Sequence, residues 1–204
     1  MGDDLSRQSK RLAWLLRHGA REAGLAMDAA GFARVDDVLA IVGMSVDELA
    51  RVVAENNKSR YELTDDGRVR ASQGHSLAGT PVTQDGLEAT WVAVLEDDPV
   101  FHGTSVDAAR AIAREGIRRG ERTHVHLAPA VDATVGKRAQ VDVLLEVSPA
   151  ALRRAGLSLF RAPNGVLLAR EVPLAAIVGL SACTRAGRAA EAELRALFVP
   201  TGRG

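Results

Sequence analysis

The chain has 204 residues, 47% apolar and 25% charged, ordinary values for a globular protein that buries one large core or two small ones. Lys plus Arg and Asp plus Glu are both 26, so attraction to a polyanion must come from a local patch rather than from net charge. The single cysteine, Cys183, excludes an internal disulfide framework and a multi-cysteine zinc site; with no secretory leader and no run of about 20 apolar residues, a cytoplasmic protein without a membrane partner is expected.

Leu5 to Leu25 reads as an amphipathic helix with Ser6 as N-cap and Gly24 as stop. At about 100° per residue, Arg7, Lys10, Arg11, Trp14, Arg17, His18 and Arg21 share one arc. Leu5, Leu12, Leu15, Leu16 and Ala23 fall opposite, so one face suits a core and the other an anion. A solvated basic face is the plain alternative. Only Glu22 lies nearby to compensate the charge, which favours an anion partner.

Asp28 to Gly31 is a turn, and Val35 to Val42 and Ser45 to Asn56 read as helices, the second opening with a Ser45/Glu48 capping box. Arg60 to Leu63 and Arg68 to Ala71, joined through Asp65-Asp66-Gly67, read as a β-hairpin. Helices followed by a hairpin is the order of a winged-helix module. Residues 1–80 are therefore expected as the first lobe, 81–90 as an aperiodic linker rich in Gly, Thr, Pro and Asp, and 91–204 as the second lobe.

The second lobe opens with apolar runs at Trp91 to Leu95 and Val100 to His102, a turn at Gly103-Thr104, and a helix capped by Thr104 or Ser105 that ends at Gly116. Val125–Leu127, Val141–Val147, Gly165–Ala169 and Ala176–Leu180 supply strands, with Asn164-Gly165 as a turn and Gly187 to Phe198 as a last helix. Short strands with few helices point to a mostly antiparallel α+β lobe.

No GxGxxG, GxxxxGK[ST] or GxSxG motif is present, so the standard phosphate cradles and the nucleophile elbow are absent from the sequence. Arginine forks can bind phosphate without a glycine loop, and Arg17, Arg60 and Arg122 stand beside His18, Tyr61 and the His124/His126 pair. Three of the five histidines, His102, His124 and His126, fall between Phe101 and Ala128. His124 and His126 face one side of a strand, yet no acidic or cysteine partner stands at ligand spacing, and no metal is expected.

The segments LSRQSKRLAWLLRH (Leu5 to His18), NKSRY (Asn57 to Tyr61), QGHS (Gln73 to Ser76), HGT (His102 to Thr104), RTHVHL (Arg122 to Leu127), VGKR (Val135 to Arg138) and NGV (Asn164 to Val166) follow one another in a familiar order. In these the chain resembles the NAD-dependent RNA 2′-phosphotransferases, the tRNA-splicing enzymes also called KptA in bacteria. The resemblance implies an N-terminal winged-helix RNA-binding lobe and a C-terminal, mostly antiparallel β lobe of the ADP-ribosyltransferase type. It also implies removal of an internal 2′-phosphate from a tRNA-like RNA. The phosphate attacks NAD to give an ADP-ribosylated RNA and nicotinamide, and the ribose 2″-hydroxyl then takes the phosphate, leaving ADP-ribose 1″,2″-cyclic phosphate.

The family's essential residues fall on Arg17, His18, Arg60 and Arg122, and its NAD-facing positions on His102, Gly103, Thr104, Ser105, His126 and, for a nucleotide contact, Arg138. Ala139-Gln140 replace the His-Gly that often follows this last arginine, and apolar Val166 stands where many protein ADP-ribosyltransferases carry glutamate. A second reading keeps only the first step and caps terminal phosphates of RNA or DNA. A third is a nucleic-acid-binding module with a decayed transferase lobe, against which retention of all four essential residues speaks. A monomer is expected.

Overall fold

The computed structural model describes residues 2–56, 59–133 and 141–198, with side chains from residue 6 onward. Among these residues the chain is mixed α and β, with seven α-helices and antiparallel sheets. It divides into two compact units. The first is Met1–Val92 with short returns at Glu121–Thr123 and Ala162–Asn164, and the second is Ala93–Gly120, His124–Arg161 and Gly165–Gly204.

In the first unit, α1 (Gly2–Trp14) runs without interruption into a π-helical turn, Leu15–Gly19. The helix therefore begins earlier than a Ser6 cap would allow, and its last turn is wider than an α-helix. Leu12, Leu15 and Leu16 are fully buried, as the apolar stripe requires. Next come β1 (Ala33–Arg34), α2 (Val35–Val42) and α3 (Val46–Ala54), the last opened by a complete Ser45/Glu48 capping box. The hairpin β2 (Tyr61–Leu63) and β3 (Arg68–Ala71) pairs Tyr61 with Ala71 and Leu63 with Val69, and β1 adds to the other edge of β3.

Residues 81–90, expected as a linker, lie inside this unit and carry α4 (Gln84–Glu88). The Thr83 hydroxyl caps it by accepting from Gly86 N–H, and Leu87 is fully buried. So short a helix leaves no periodic signal; one cap and one buried leucine define it.

The second unit contains β4 (Val92–Ala93, the strand at the unit boundary), β5 (Val100–Thr104), α5 (Val106–Glu115), β6 (Val125–Leu127), β7 (Val143–Val147), α6 (Pro149–Arg154), β8 (Phe160–Arg161), β9 (Leu167–Ala169), β10 (Ile177–Ala182) and α7 (Arg185–Phe198). One sheet has the order β10-β7-β5 and the other β4-β8-β9-β6. Strand β5 continues through Gly103 and Thr104, where a turn was expected, because β7 pairs along its whole length, Gly103 with Leu144 and Thr104 with Val143. Ser105 then caps α5 by accepting from Ala108 N–H.

Candidate active site

The π-helical turn sets the first candidate side chains. A π turn offsets the residues after it from the face an α-helix would give them, and here it carries Arg17 and His18 beside buried Leu16 and Gly19. Arg17 is half-buried, and its Nε and Nη2 have no hydrogen-bond partner among the described residues. Its pKa is lowered to about 10, chiefly by burial, with a pull upward from Tyr61 and smaller contributions downward from the charges of Arg60 and Arg122. A depression of that size means roughly 3 kcal/mol less stabilisation of the cation than water gives. The cation persists at neutral pH, desolvated and with donors unmet. An anion would relieve that cost.

Arg60 is placed by its backbone. Its N–H donates to Asn56 Oδ1 at 3.2 Å and its carbonyl accepts from Ser72 N–H at 2.8 Å. Ser59 precedes it in the left-handed region at φ 43°, a conformation unusual for serine, and accepts at its carbonyl from the Ser72 hydroxyl at 3.0 Å. Tyr61 follows, its hydroxyl donating to Ser9 O at 2.7 Å and burial raising its pKa. Arg122 reaches the first unit on the short return Glu121–Thr123, through an antiparallel bridge to Ser76.

The structure thus brings Arg17, His18, Arg60 and Arg122 together in one electrostatic neighbourhood of the first unit. The exposed His18 has its pKa lowered, first by partial desolvation and then by Arg17 and Arg122, with a smaller opposing effect of Glu121. A cleft of about 530 Å³ continues from Arg17 and Arg60 past Tyr61, Asn56, Ser9 and Lys10. Asn56, which holds Arg60, escaped notice in the sequence; an asparagine closing a helix shortly before a hairpin was the available signal.

The basic stripe that runs from α1 past the π turn is not uniform. Arg11 Nη2 donates to Ile41 O at 3.0 Å and Arg21 Nε to Thr80 O at 3.0 Å, so both serve packing. Lys10 and Arg17 line the cleft. Arg70, only 2% exposed, gives its two-pronged Nε and Nη2 fork to Glu62 at 3.0 and 2.9 Å and both Nη1 donors to Ala30 O and Thr90 Oγ1, with Phe32 beneath it.

In the second unit, His102 is half-buried on β5, its Nδ1 3.1 Å from His126 O, a contact that fixes the ring's orientation. His126 is half-buried on β6. His124, one residue before that strand, is 1% exposed. A Cβ on Gly103 would stand 2.6 Å from Val141 Cγ2, so the glycine is demanded by packing. Thr104 is 2% exposed, and the Ser105 hydroxyl caps α5. Arg138 lies outside the described residues, as do Asn57 and Lys58. Among the described residues no group of three or more His, Cys, Asp or Glu side chains gathers as a metal site would need, and no helix is long and apolar enough to cross a membrane.

The family model described as RNA 2′-phosphotransferase, Tpt1 / KptA family, matches residues 3–171. A protein named "Probable RNA 2′-phosphotransferase" from Burkholderia lata is 39% identical over 178 residues, covering 83% of this chain and 88% of that protein. One of the same name from Agrobacterium fabrum is 38% identical, covering 81% and 89%. The zebrafish (Danio rerio) protein named tRNA 2′-phosphotransferase 1 is 35% identical, covering 79% and 76%. With most of its length matched by the family model and by such relatives, this chain belongs to the Tpt1/KptA family of RNA 2′-phosphotransferases.

Proposed function

We propose that the protein is an NAD-dependent RNA 2′-phosphotransferase that moves the internal 2′-phosphate of a tRNA-like RNA onto ADP-ribose by way of an ADP-ribosylated RNA, releasing nicotinamide and ADP-ribose 1″,2″-cyclic phosphate. The observation that carries this reading is Arg17, a desolvated cation with unmet donors beside Arg60, Arg122 and His18. Such a cluster fits a phosphate dianion held by charge-assisted, forked hydrogen bonds. On this reading the first unit is a winged-helix RNA lobe, and the cleft through Lys10 receives the chain that bears the phosphate. The second unit is the ADP-ribosyltransferase-like lobe.

NAD supplies, as co-substrate, an anomeric carbon with a good leaving group. His102, Gly103, Thr104, Ser105 and His126 are assigned to holding it, with Arg138 at the nucleotide end. Two half-buried imidazoles at neighbouring strands suit its hydroxyls and phosphates; Thr104 and Ser105, buried and engaged as a cap respectively, contribute through their backbone. The arginines position the phosphate nucleophile and then stabilise the charge that spreads over phosphorus during its transfer. His18, neutral at rest, is a proton carrier or a donor to phosphate.

The test is incubation of the pure protein with NAD and 2′-, 5′- or 3′-phosphorylated oligonucleotides. Nicotinamide release confined to the 2′-phosphorylated strand, with recovery of the free 2′-hydroxyl, is expected. NAD consumption with no loss of the 2′-phosphate contradicts the proposal. A gel shift that persists on 5′-phosphorylated strands identifies terminal-phosphate capping instead.

A further inference from the structure

Arg17 and Arg122 come from distant parts of the sequence, and one residue touches the backbone of both. Arg21 N–H, which an uninterrupted α-helix would give to the Arg17 carbonyl, donates instead to Gly79 O at 3.0 Å. The Arg17 carbonyl receives Ser76 N–H at 2.9 Å and the Ser76 hydroxyl at 3.3 Å. Ser76 also stands opposite Arg122 in an antiparallel bridge, whose hydrogen bond is made by the flanking residues, Thr123 N–H donating to His75 O at 3.0 Å. We propose that Ser76 is a positioning residue that sets the spacing between Arg17 and Arg122, acting through their backbones and touching no substrate.

The surrounding loop leaves Ser76 little freedom. Its carbonyl accepts from Thr80 N–H and Thr80 Oγ1 at 3.2 and 2.7 Å, and its hydroxyl accepts from Gly79 N–H at 3.3 Å. The hydroxyl thus accepts from the loop and donates to the π turn, using both sides of one oxygen. Gly79 closes the arrangement from the other side: a Cβ there would lie 1.9 Å from His18 O. Any side chain at 79 must push the Arg17-His18 segment away from its seat. The role of the seat rests on the reading above; the geometry does not.

The test is an NMR pH titration of His18 in the intact protein, assigned with His18→Gln, alongside transfer kinetics. Burial of His18 and the charges of Arg17, Arg122 and Glu121 set its titration, so the titration reports whether the Arg17-His18 segment keeps its seat beside Arg122. Ser76→Ala is expected to raise the His18 pKa toward the ordinary histidine value and cut turnover by roughly tenfold or more, as small misplacements of reacting groups do. Ser76→Thr, which keeps the hydroxyl, restores both, and Gly79→Ala reproduces the Ser76→Ala titration. An unchanged His18 titration in both Ser76→Ala and Gly79→Ala overturns the proposal, as does Ser76→Thr behaving like Ser76→Ala. Should the protein transfer no 2′-phosphate at all, the proposed function fails while the titration still decides Ser76.

Discussion

Arg17 on the π turn and Arg70 on β3 are both cations taken from water, in one unit of one chain, and their surroundings differ completely. Arg70 has Glu62, Ala30 O, Thr90 and the Phe32 ring arranged around its guanidinium. Among the described residues Arg17 keeps Nε and Nη2 without a partner and has two further arginines near it in place of a carboxylate. Folding stability explains the first arrangement and opposes the second, because a buried charge without compensation is costly. Burial and residue type alone do not separate a structural from a functional arginine. The satisfaction of its donors does.

That contrast can be broken most forcefully at the proposed phosphate site. Arg122→Ala is expected to reduce 2′-phosphate transfer by about 10²-fold to 10³-fold, the usual cost of a lost charge-stabilising donor, with the circular dichroism spectrum unchanged; wild-type turnover would remove Arg122 from the site. Arg70→Met should lower stability by roughly 2–4 kcal/mol in denaturant titration, since it strands Glu62, while turnover per folded molecule stays at the wild-type level. Loss of turnover in a well-folded Arg70→Met sample would erase the distinction.

A subtler effect lies at His18. Its pKa is lowered in the folded protein, so well above about pH 6.5 the group is neutral in folded and unfolded states alike and contributes nothing. As pH falls below that value the unfolded chain takes the proton first, and stability declines. A bound phosphate reverses the sign: a 2′-phosphorylated dinucleotide should raise the His18 pKa in an NMR titration, and no change would place the anion elsewhere. Smallest is Lys10→Ala, which should weaken RNA binding and reduce the slope of log K against log salt by about one unit. An unaltered slope would detach Lys10 from the RNA path.

Much of this was legible in the residues. The capping box at Ser45 and Glu48, the 35–42 helix and the hairpin from Tyr61 to Ala71 follow from local rules, and each stands where those rules put it. The motif order from Leu5 to Val166 carries the resemblance to the family. Other features needed three dimensions. The π turn has no local signature, because the Ser76 and Gly79 contacts that accompany it lie about sixty residues downstream of it. Strand β8 and helix α6 are too short for periodicity to register. As sequence the basic stripe from Arg7 to Arg21 reads as uniformly available, yet Arg11 and Arg21 spend donors on backbone carbonyls that no helical wheel includes.

Thermal unfolding and 2′-phosphate release measured side by side on Arg17→Met and Arg70→Met test the central distinction most directly. Methionine fills the space of the arginine stem without the charge. Relief of the desolvation cost predicts that Arg17→Met abolishes transfer and leaves Tm equal to or a few degrees above the parent, whereas Arg70→Met lowers Tm and retains transfer. An Arg17→Met protein that melts lower and still transfers phosphate would contradict the assignment of that arginine to the substrate.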